Sequence, residues 1–233
     1  MSNQTVINPN VNATVINSEL GQATAINPNL TGSTSKKLAS GAILGGKYQI
    51  VEPLSVATGE ADLYVCKYNE KEYVAKVYRR QRAVKPEVIS VLKSINSPYV
   101  ASLFDTGEYN GLPFEVLPYY RNGSLQGRKF SLDELKKMII PCINEALHVL
   151  HQNDIIHKDL KPSNIMLLDD NKSVAIIDFG ISSVVEQGNT VLVTKTGMTP
   201  EYSAPETFRS LFLEESDYYS FGITLYELYC GYT

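Results

Sequence analysis

The sequence predicts an α+β chain in two unequal lobes. A small antiparallel sheet with one helix comes first, then a larger and mainly helical part. Three observations predict it. Runs rich in Tyr and Val precede the helical periodicities, and strands followed by helices segregate into separate layers. Hydrophobic residues make up 43% and charged residues 20% of the 233, the balance of an ordinary globular chain. Composition breaks sharply near residue 36, which sets off a tail and linker over 1–46 from a folded part over 47–233.

From Met1 to Ser35 the only charged side chain is Glu19, and no aromatic residue occurs. Such a segment buries too little apolar area to offset ordering entropy, so disorder is expected. Yet it repeats. Thr5-Val6-Ile7-Asn8-Pro9-Asn10 returns as Thr14-Val15-Ile16-Asn17-Ser18 and as Thr24-Ala25-Ile26-Asn27-Pro28-Asn29. A unit of about ten residues is too short for a packed helical repeat. It reads either as a short recognition motif or as low-complexity drift. Lys36 to Gly46 reads as a linker.

Tyr48–Leu54, Asp62–Tyr68 and Glu72–Tyr78 alternate or run apolar, as strands do. Pro86 opens a short helix reaching Ile95, since proline suits a first helical turn. Val100–Gly107 and Leu112–Leu117 read as two more strands. The small lobe then spans about 47–118 and the large one about 119–233. Ser131 and Glu134 are spaced as a capping box, and Leu135, Ile139, Ile143, Leu147 and Leu150 follow at helical spacing. Pro141 inside that helix removes one hydrogen bond and predicts a kink. Val174–Ile177 reads as an apolar strand and Asp217–Cys230 as a strongly apolar terminal helix.

The net charge of −4 argues against a nucleic-acid partner, because phosphate-backbone affinity comes from clustered Lys and Arg. No apolar run reaches the roughly 20 residues of a membrane span. The first ten residues lack the basic-then-apolar order of a signal peptide. Cys66, Cys142 and Cys230 are odd in number and form no CxxC pair, so neither a zinc site nor a disulfide framework is indicated. A reducing, cytoplasmic setting fits.

His157-Lys158-Asp159-Leu160-Lys161-Pro162-Ser163-Asn164 follows the long helix. Asp178-Phe179-Gly180 begins 14 residues past Asn164, and Ala204-Pro205-Glu206 begins 26 residues past Asp178. With three such motifs in this order, the stretch from Tyr48 to Thr233 resembles the eukaryotic-type serine/threonine protein kinases. The resemblance implies the two-lobed kinase fold. It also implies ATP- and Mg²⁺-dependent transfer of the γ-phosphoryl group to Ser or Thr hydroxyls of a protein substrate. By resemblance Asp159 takes the proton of the incoming hydroxyl, and Lys161 reaches the transferred phosphate as a point charge. Asn164 and Asp178 supply oxygens to Mg²⁺. Lys76, in Val74-Ala75-Lys76, resembles the strand lysine that holds the α and β phosphates. A lysine among apolar neighbours on a strand calls for an anionic partner in any case. Lys161 with Thr199, in Thr199-Pro200-Glu201-Tyr202, is similar to the serine/threonine branch. Small-molecule kinases of the aminoglycoside type share the fold but lack the Ala-Pro-Glu segment.

Leu117-Pro118-Tyr119-Tyr120 aligns with the gatekeeper and adenine hinge of that family. Pro118 has no N–H but keeps its carbonyl, and Tyr120 keeps both groups, so adenine binding is compatible. Leu63, Val74 and Met166 would sandwich the ring; they equally suit core packing. The phosphate-covering loop departs from the family's G-x-G-x-x-G. In Ser55-Val56-Ala57-Thr58-Gly59-Glu60 only Gly59 survives, leaving Ser55, Val56 and Gly59 as the candidate contacts. The usual partner acid of the strand lysine is displaced as well. Placing Leu92 and Leu103 in the hydrophobic column called the regulatory spine puts Val88 at the acidic position. Glu87 is one residue off, about 100° around a helix. Either the helix is set differently and Glu87 pairs with Lys76, which is favoured, or that pair is absent.

Lys158 stands where many members carry Arg. Arg binds an activation-loop phosphate bidentately and Lys binds it more weakly; Thr190, Thr194 and Thr196 are the candidate acceptors. Asp217 is either the acid that braces the catalytic loop or the N-cap of the last helix. The family continues with further helices and an Arg that pairs with the glutamate of Ala-Pro-Glu. A truncated C-lobe, an uncovered terminal helix and an unpaired Glu206 are therefore expected. These departures leave a rival of another class, a pseudokinase acting as nucleotide-binding or scaffold module with little turnover. Phosphorylated Thr5, Thr14 and Thr24 would present charged copies to a phosphothreonine reader of the forkhead-associated type.

Overall fold

A computed structural model of the protein describes residues 37–54, 61–80, 85–180, 182–184, 191–192 and 198–232. The tail threonines, the glycine-loop segment 55–60 and Thr190, Thr194 and Thr196 lie outside the described residues. The chain divides after Lys36, and the second unit carries all the described residues.

Six strands form one antiparallel sheet: β1 (Ile43–Leu44), β2 (Tyr48–Pro53), β3 (Ala61–Tyr68), β4 (Lys71–Tyr78), β5 (Asp105–Tyr109) and β6 (Leu112–Pro118). Their order is β1-β2-β3-β4-β6-β5. Asn69 and Glu70 turn β3 into β4 with positive φ at both (49° and 60°), the two-residue turn whose twist suits adjoining strands. Asn110 (51°) and Gly111 (78°) do the same between β5 and β6.

Side chains alternate between the two faces of the sheet. Tyr64, Cys66, Ala75, Val77, Phe114 and Val116 enter one core together with Leu38, Leu44, Tyr48 and Ile50. The residues between them, Leu63, Val74, Lys76, Glu115 and Leu117, take the opposite face. Register aligns them, with Leu63 opposite Lys76, Lys76 opposite Glu115 and Val74 opposite Leu117.

Residues 37–46 are not a linker. Leu38 and Leu44 are buried in the sheet's core, the Leu38 N–H donates to the Tyr64 hydroxyl (3.1 Å), and β1 pairs with β2. Leu38 and the three-residue run Ala42–Leu44 are too short to carry a periodicity, so the burial of Leu38 and Leu44 follows only from contact with the sheet. The strand expected over Val100–Gly107 starts later, at Asp105. Val100 bridges to Ile176, and the Ala101 N–H donates to the Ile176 carbonyl (2.9 Å). An apolar run does not say which partner strand will claim it.

α1 (Pro86–Ser94) buries Val88 and Leu92. α2 (Leu132–Glu134) starts at the expected capping box: the Glu134 N–H donates to Ser131 Oγ (3.3 Å) and the Ser131 N–H to Glu134 Oε2 (2.8 Å). A π-helical turn, Leu135–Ile139, leads into α3 (Ile140–Gln152). The wide turn falls just before Pro141, whose ring would crowd the Lys137 carbonyl in a regular helix. The disturbance expected from proline is thus absorbed as a π turn.

β7 (Ile155–Ile156) pairs with β10 (Ser183–Val184), β8 (Ile165–Leu167) with β9 (Val174–Ile176), and β11 (Val191–Leu192) with β12 (Leu211–Phe212). α4 (Glu214–Cys230) sends Phe221 and Leu228 into a second core shared with α1, α3, β8 and β9. Tyr218, Tyr219, Tyr226 and Tyr229 on α4 stay exposed. No helix of the described residues is long and apolar enough to cross a membrane. The three cysteines are free thiols.

Candidate active site

α4 begins at Glu214, so Asp217 stands inside its first turn and not at its cap. Its carboxylate is 1% exposed and accepts from the N–H groups of His157 and Lys158 and from His151 Nε2, each at 2.9 Å. Of the two readings of Asp217, the loop brace is the one with the contacts. Lys158 is held at a φ of 75°, which an L-residue keeps only when its surroundings impose it. The His157 ring donates from Nε2 to the Ile177 carbonyl (2.9 Å) and meets Phe179 edge-on at 5.3 Å. Phe179 and Leu92 share the helical core, and Leu103 is buried too.

The loop braced in this way presents Asp159. Oδ1 accepts from the Thr199 hydroxyl (2.7 Å) and N–H (3.2 Å). Oδ2 lies 2.7 Å from Lys161 Nζ and 3.1 Å from Asn164 Nδ2. Lys161 Nζ also donates to Thr199 Oγ1 (2.6 Å), and Asn164 Nδ2 to the Asp159 carbonyl (2.8 Å). Four residues drawn from 40 positions of sequence therefore form one network around a single carboxylate.

Lys76, buried on β4, donates to Asp178 Oδ1 at 2.5 Å. Asp178 is half-buried and holds a φ of 66°. Burial pushes its carboxyl up, but the Lys76 ammonium outweighs this and leaves it below the usual carboxylate range. Glu87 has no place in this arrangement. It is exposed, and Val88, fully buried, takes the inward position on α1. Val88 and Leu92, four residues apart, form the helix's apolar face, and burying that face sets the rotation that turns Glu87 outward. The favoured pairing of Glu87 with Lys76 is therefore corrected.

Leu63 on β3, Val74 on β4, Leu117 on β6 and Met166 on β8 are half-buried, and among the described residues none joins either core. Apolar side chains left partly open suit a flat apolar ring. Pro118 ends β6, and Tyr120 follows with its phenol pushed up to about 12 by burial. Ser55, Val56 and Gly59 lie outside the described residues. Asp178 and Asn164 offer a carboxylate and an amide oxygen, the Asn164 Nδ2 being committed to Asp159. Hard oxygens of this kind fit Mg²⁺. Among the described residues no three or more His, Cys, Asp or Glu side chains gather to hold a metal. A metal at this pair would complete its shell with phosphate and water, as Mg²⁺ usually does.

Residues 48–233 match the family described as "Protein kinase domain". The chain belongs to the protein kinase family. This kinase chain is 30% identical over 200 residues to cAMP-dependent protein kinase type 3 of Saccharomyces cerevisiae, covering 80% of the chain and 49% of the relative. It is 32% identical over 195 residues to calcium-dependent protein kinase 5 of Plasmodium berghei, covering 80% and 33%. Carbon catabolite-derepressing protein kinase of Saccharomyces cerevisiae is 30% identical over 207 residues, covering 83% and 32%. The chain thus spans half or less of the length of these relatives.

Two further kinase residues escape a reading of motifs. Glu115 is buried on β6 directly opposite Lys76; its signal is an acid in the middle of an otherwise apolar strand. Lys85 lies close enough to Lys158 to act on its charge. Lys158 is buried, its ammonium makes no hydrogen bond among the described residues, and it lies 4.8 Å from the centroid of the Phe212 ring. Burial, then Lys85, push the Lys158 ammonium down to about 8 against a pull from Asp217. Glu206, expected to lack a partner, accepts from Ser216 Oγ at 2.6 Å.

Proposed function

We propose that this kinase transfers the γ-phosphoryl group of ATP to Ser or Thr hydroxyls of protein substrates, with Mg²⁺ as its metal. The observation that carries the reading is the network that aims the Asp159 carboxylate. The Thr199 hydroxyl donates to Oδ1 at 2.7 Å, which supports a substrate hydroxyl reaching the same oxygen and losing its proton to Asp159. Lys161, on the other oxygen, keeps a positive charge beside the transferred phosphate. Mg²⁺, held by Asp178 and Asn164, supplies neutralisation of the phosphate charge. Lys76 holds the nucleotide phosphates and Ser55, Val56 and Gly59 cover them. Leu63, Val74, Leu117 and Met166 clasp adenine, with backbone groups of Pro118 and Tyr120 at its edge. Retention of Lys76, Asp159, Asn164 and Asp178 in one cleft speaks against a scaffold without turnover. The test is transfer from radiolabelled ATP to a generic basic protein by wild type and Asp159→Asn. Label from the wild type alone supports the reading, and equal label from both removes it.

Regulation is proposed at two places. A phosphate on Thr190, Thr194 or Thr196 would pair with the Lys158 ammonium. Phosphates on Thr5, Thr14 and Thr24 would make the tail a docking segment for a forkhead-associated partner, in a cytoplasmic setting. Mass spectrometry of protein incubated with ATP separates the two. Label on the loop threonines with all three tail threonines bare would remove self-modification of the tail.

A further inference from the structure

We propose that Glu115 is the acidic positioning residue of Lys76, standing in for a carboxylate that α1 does not supply. The inference rests on the phosphotransfer reading and deepens it. Lys76 on β4 and Glu115 on β6 are directly opposite in an antiparallel pair, which brings their Cβ atoms to within about 5.5 Å on one face. Lys76 is 6% exposed and Glu115 5% exposed. A carboxylate and an ammonium buried side by side stabilise each other's charged forms, and each is costly alone. Tyr78, two residues beyond Lys76 on the same face, ties the pair together. Its hydroxyl donates to Glu115 Oε1 (2.8 Å), and Lys76 Nζ lies 5.1 Å from its ring centroid.

The Lys76 ammonium thus lies between two acids. One, Asp178, holds it at 2.5 Å but is also the carboxylate that suits a metal. Were Asp178 to hold a metal instead, Glu115 would remain as the acid opposite Lys76 on the sheet. On α1 the alternative is closed, since Val88 is buried where an acid would have to point and Glu87 is exposed. The consequence is physical. A lysine–acid pair built between two strands forms with the sheet register. It does not wait for a helix to swing into place.

The experiment uses the full chain and two readouts: kcat and KM for Mg·ATP with a generic basic protein, and the Kd of a fluorescent ATP analogue with Mg²⁺. Glu115→Gln keeps the shape and an acceptor for Tyr78 while removing the charge. It is expected to weaken nucleotide affinity and lower kcat/KM by roughly 10- to 100-fold, the worth of one charge-assisted hydrogen bond, in a protein that still folds but melts lower because Lys76 loses a buried counter-charge. Glu115→Asp keeps the charge and withdraws it by one methylene, and is expected to recover part of the loss. If Glu115→Gln does not fold, Glu115→Asp becomes the test and is expected to fall short of wild type in nucleotide affinity. Wild-type nucleotide affinity in a folded Glu115 variant, or a loss that follows Glu87→Gln instead, overturns the inference. A wild-type protein that binds nucleotide but labels no substrate removes the proposed activity while the affinity comparison still decides Glu115.

Discussion

The loop around Asp159 and the lysine on β4 are held in different ways. Asp159 is fixed by contacts from Thr199, Lys161 and Asn164, and its loop by two hydrogen bonds to Asp217, which also accepts from His151 on α3. Lys76 rests on the register of β4 and on Asp178, an acid that reaches it from another element. Around Asp159 each residue has several partners, so changing one leaves buried polar groups without theirs. On the sheet several positions can bring a side chain to the face that carries Lys76.

The comparison breaks first at Asp159. Asp159→Asn keeps the shape and removes the proposed base, so phosphoryl transfer is expected to fall about 10³-fold while nucleotide affinity stays near wild type. Filter assay of labelled substrate beside nucleotide titration checks both halves.

Asp217→Ala attacks the brace. It leaves three buried donors without their acceptor, and a loss of about 3 kcal/mol or more is expected. Urea unfolding measures it. A loss confined to a few tenths of a kcal/mol would mean that the loop holds itself.

Lys158 sharpens the contrast, since its ammonium is buried and makes no hydrogen bond among the described residues. Burial, then Lys85, hold its ammonium down at about 8 in the folded state, against 10.5 ordinarily. Below about pH 8 both states carry the charge and the burial cost is fully present. Between there and 10.5 the folded state releases its proton first, so stability rises with pH. Lys158→Met is expected to raise stability at pH 7 by up to about 3 kcal/mol and to flatten that rise. Chemical denaturation from pH 7 to pH 10 shows either outcome.

The smallest effect belongs to the long helix. Ser131→Ala removes half of the capping box and should cost about 1 kcal/mol, lowering the melting temperature without moving KM for ATP. A change in KM would tie the helix start to the nucleotide half of the cleft.

The sequence by itself determined what neighbours along the chain decide. Alternation set the strands Tyr48–Pro53, Ala61–Tyr68 and Lys71–Tyr78 to within a residue or two of their ends. The Ser131 and Glu134 pair set the start of the long helix. The order of the Asp159, Asp178 and Ala204 motifs carried the resemblance to the family that the match over residues 48–233 then showed. Tertiary structure alone decided what depends on partners far away. Leu38 is buried because Tyr64 is there, and Val100 leaves the sheet because Ile176 takes it. Asp217 is a brace because α4 starts three residues earlier and aims it at the catalytic loop. The neighbour of Lys76 is an acid 39 positions later, and no local pattern carries that information. Register between strands and the rotation of α1 follow from which apolar faces are buried together. That choice is made by the whole core at once.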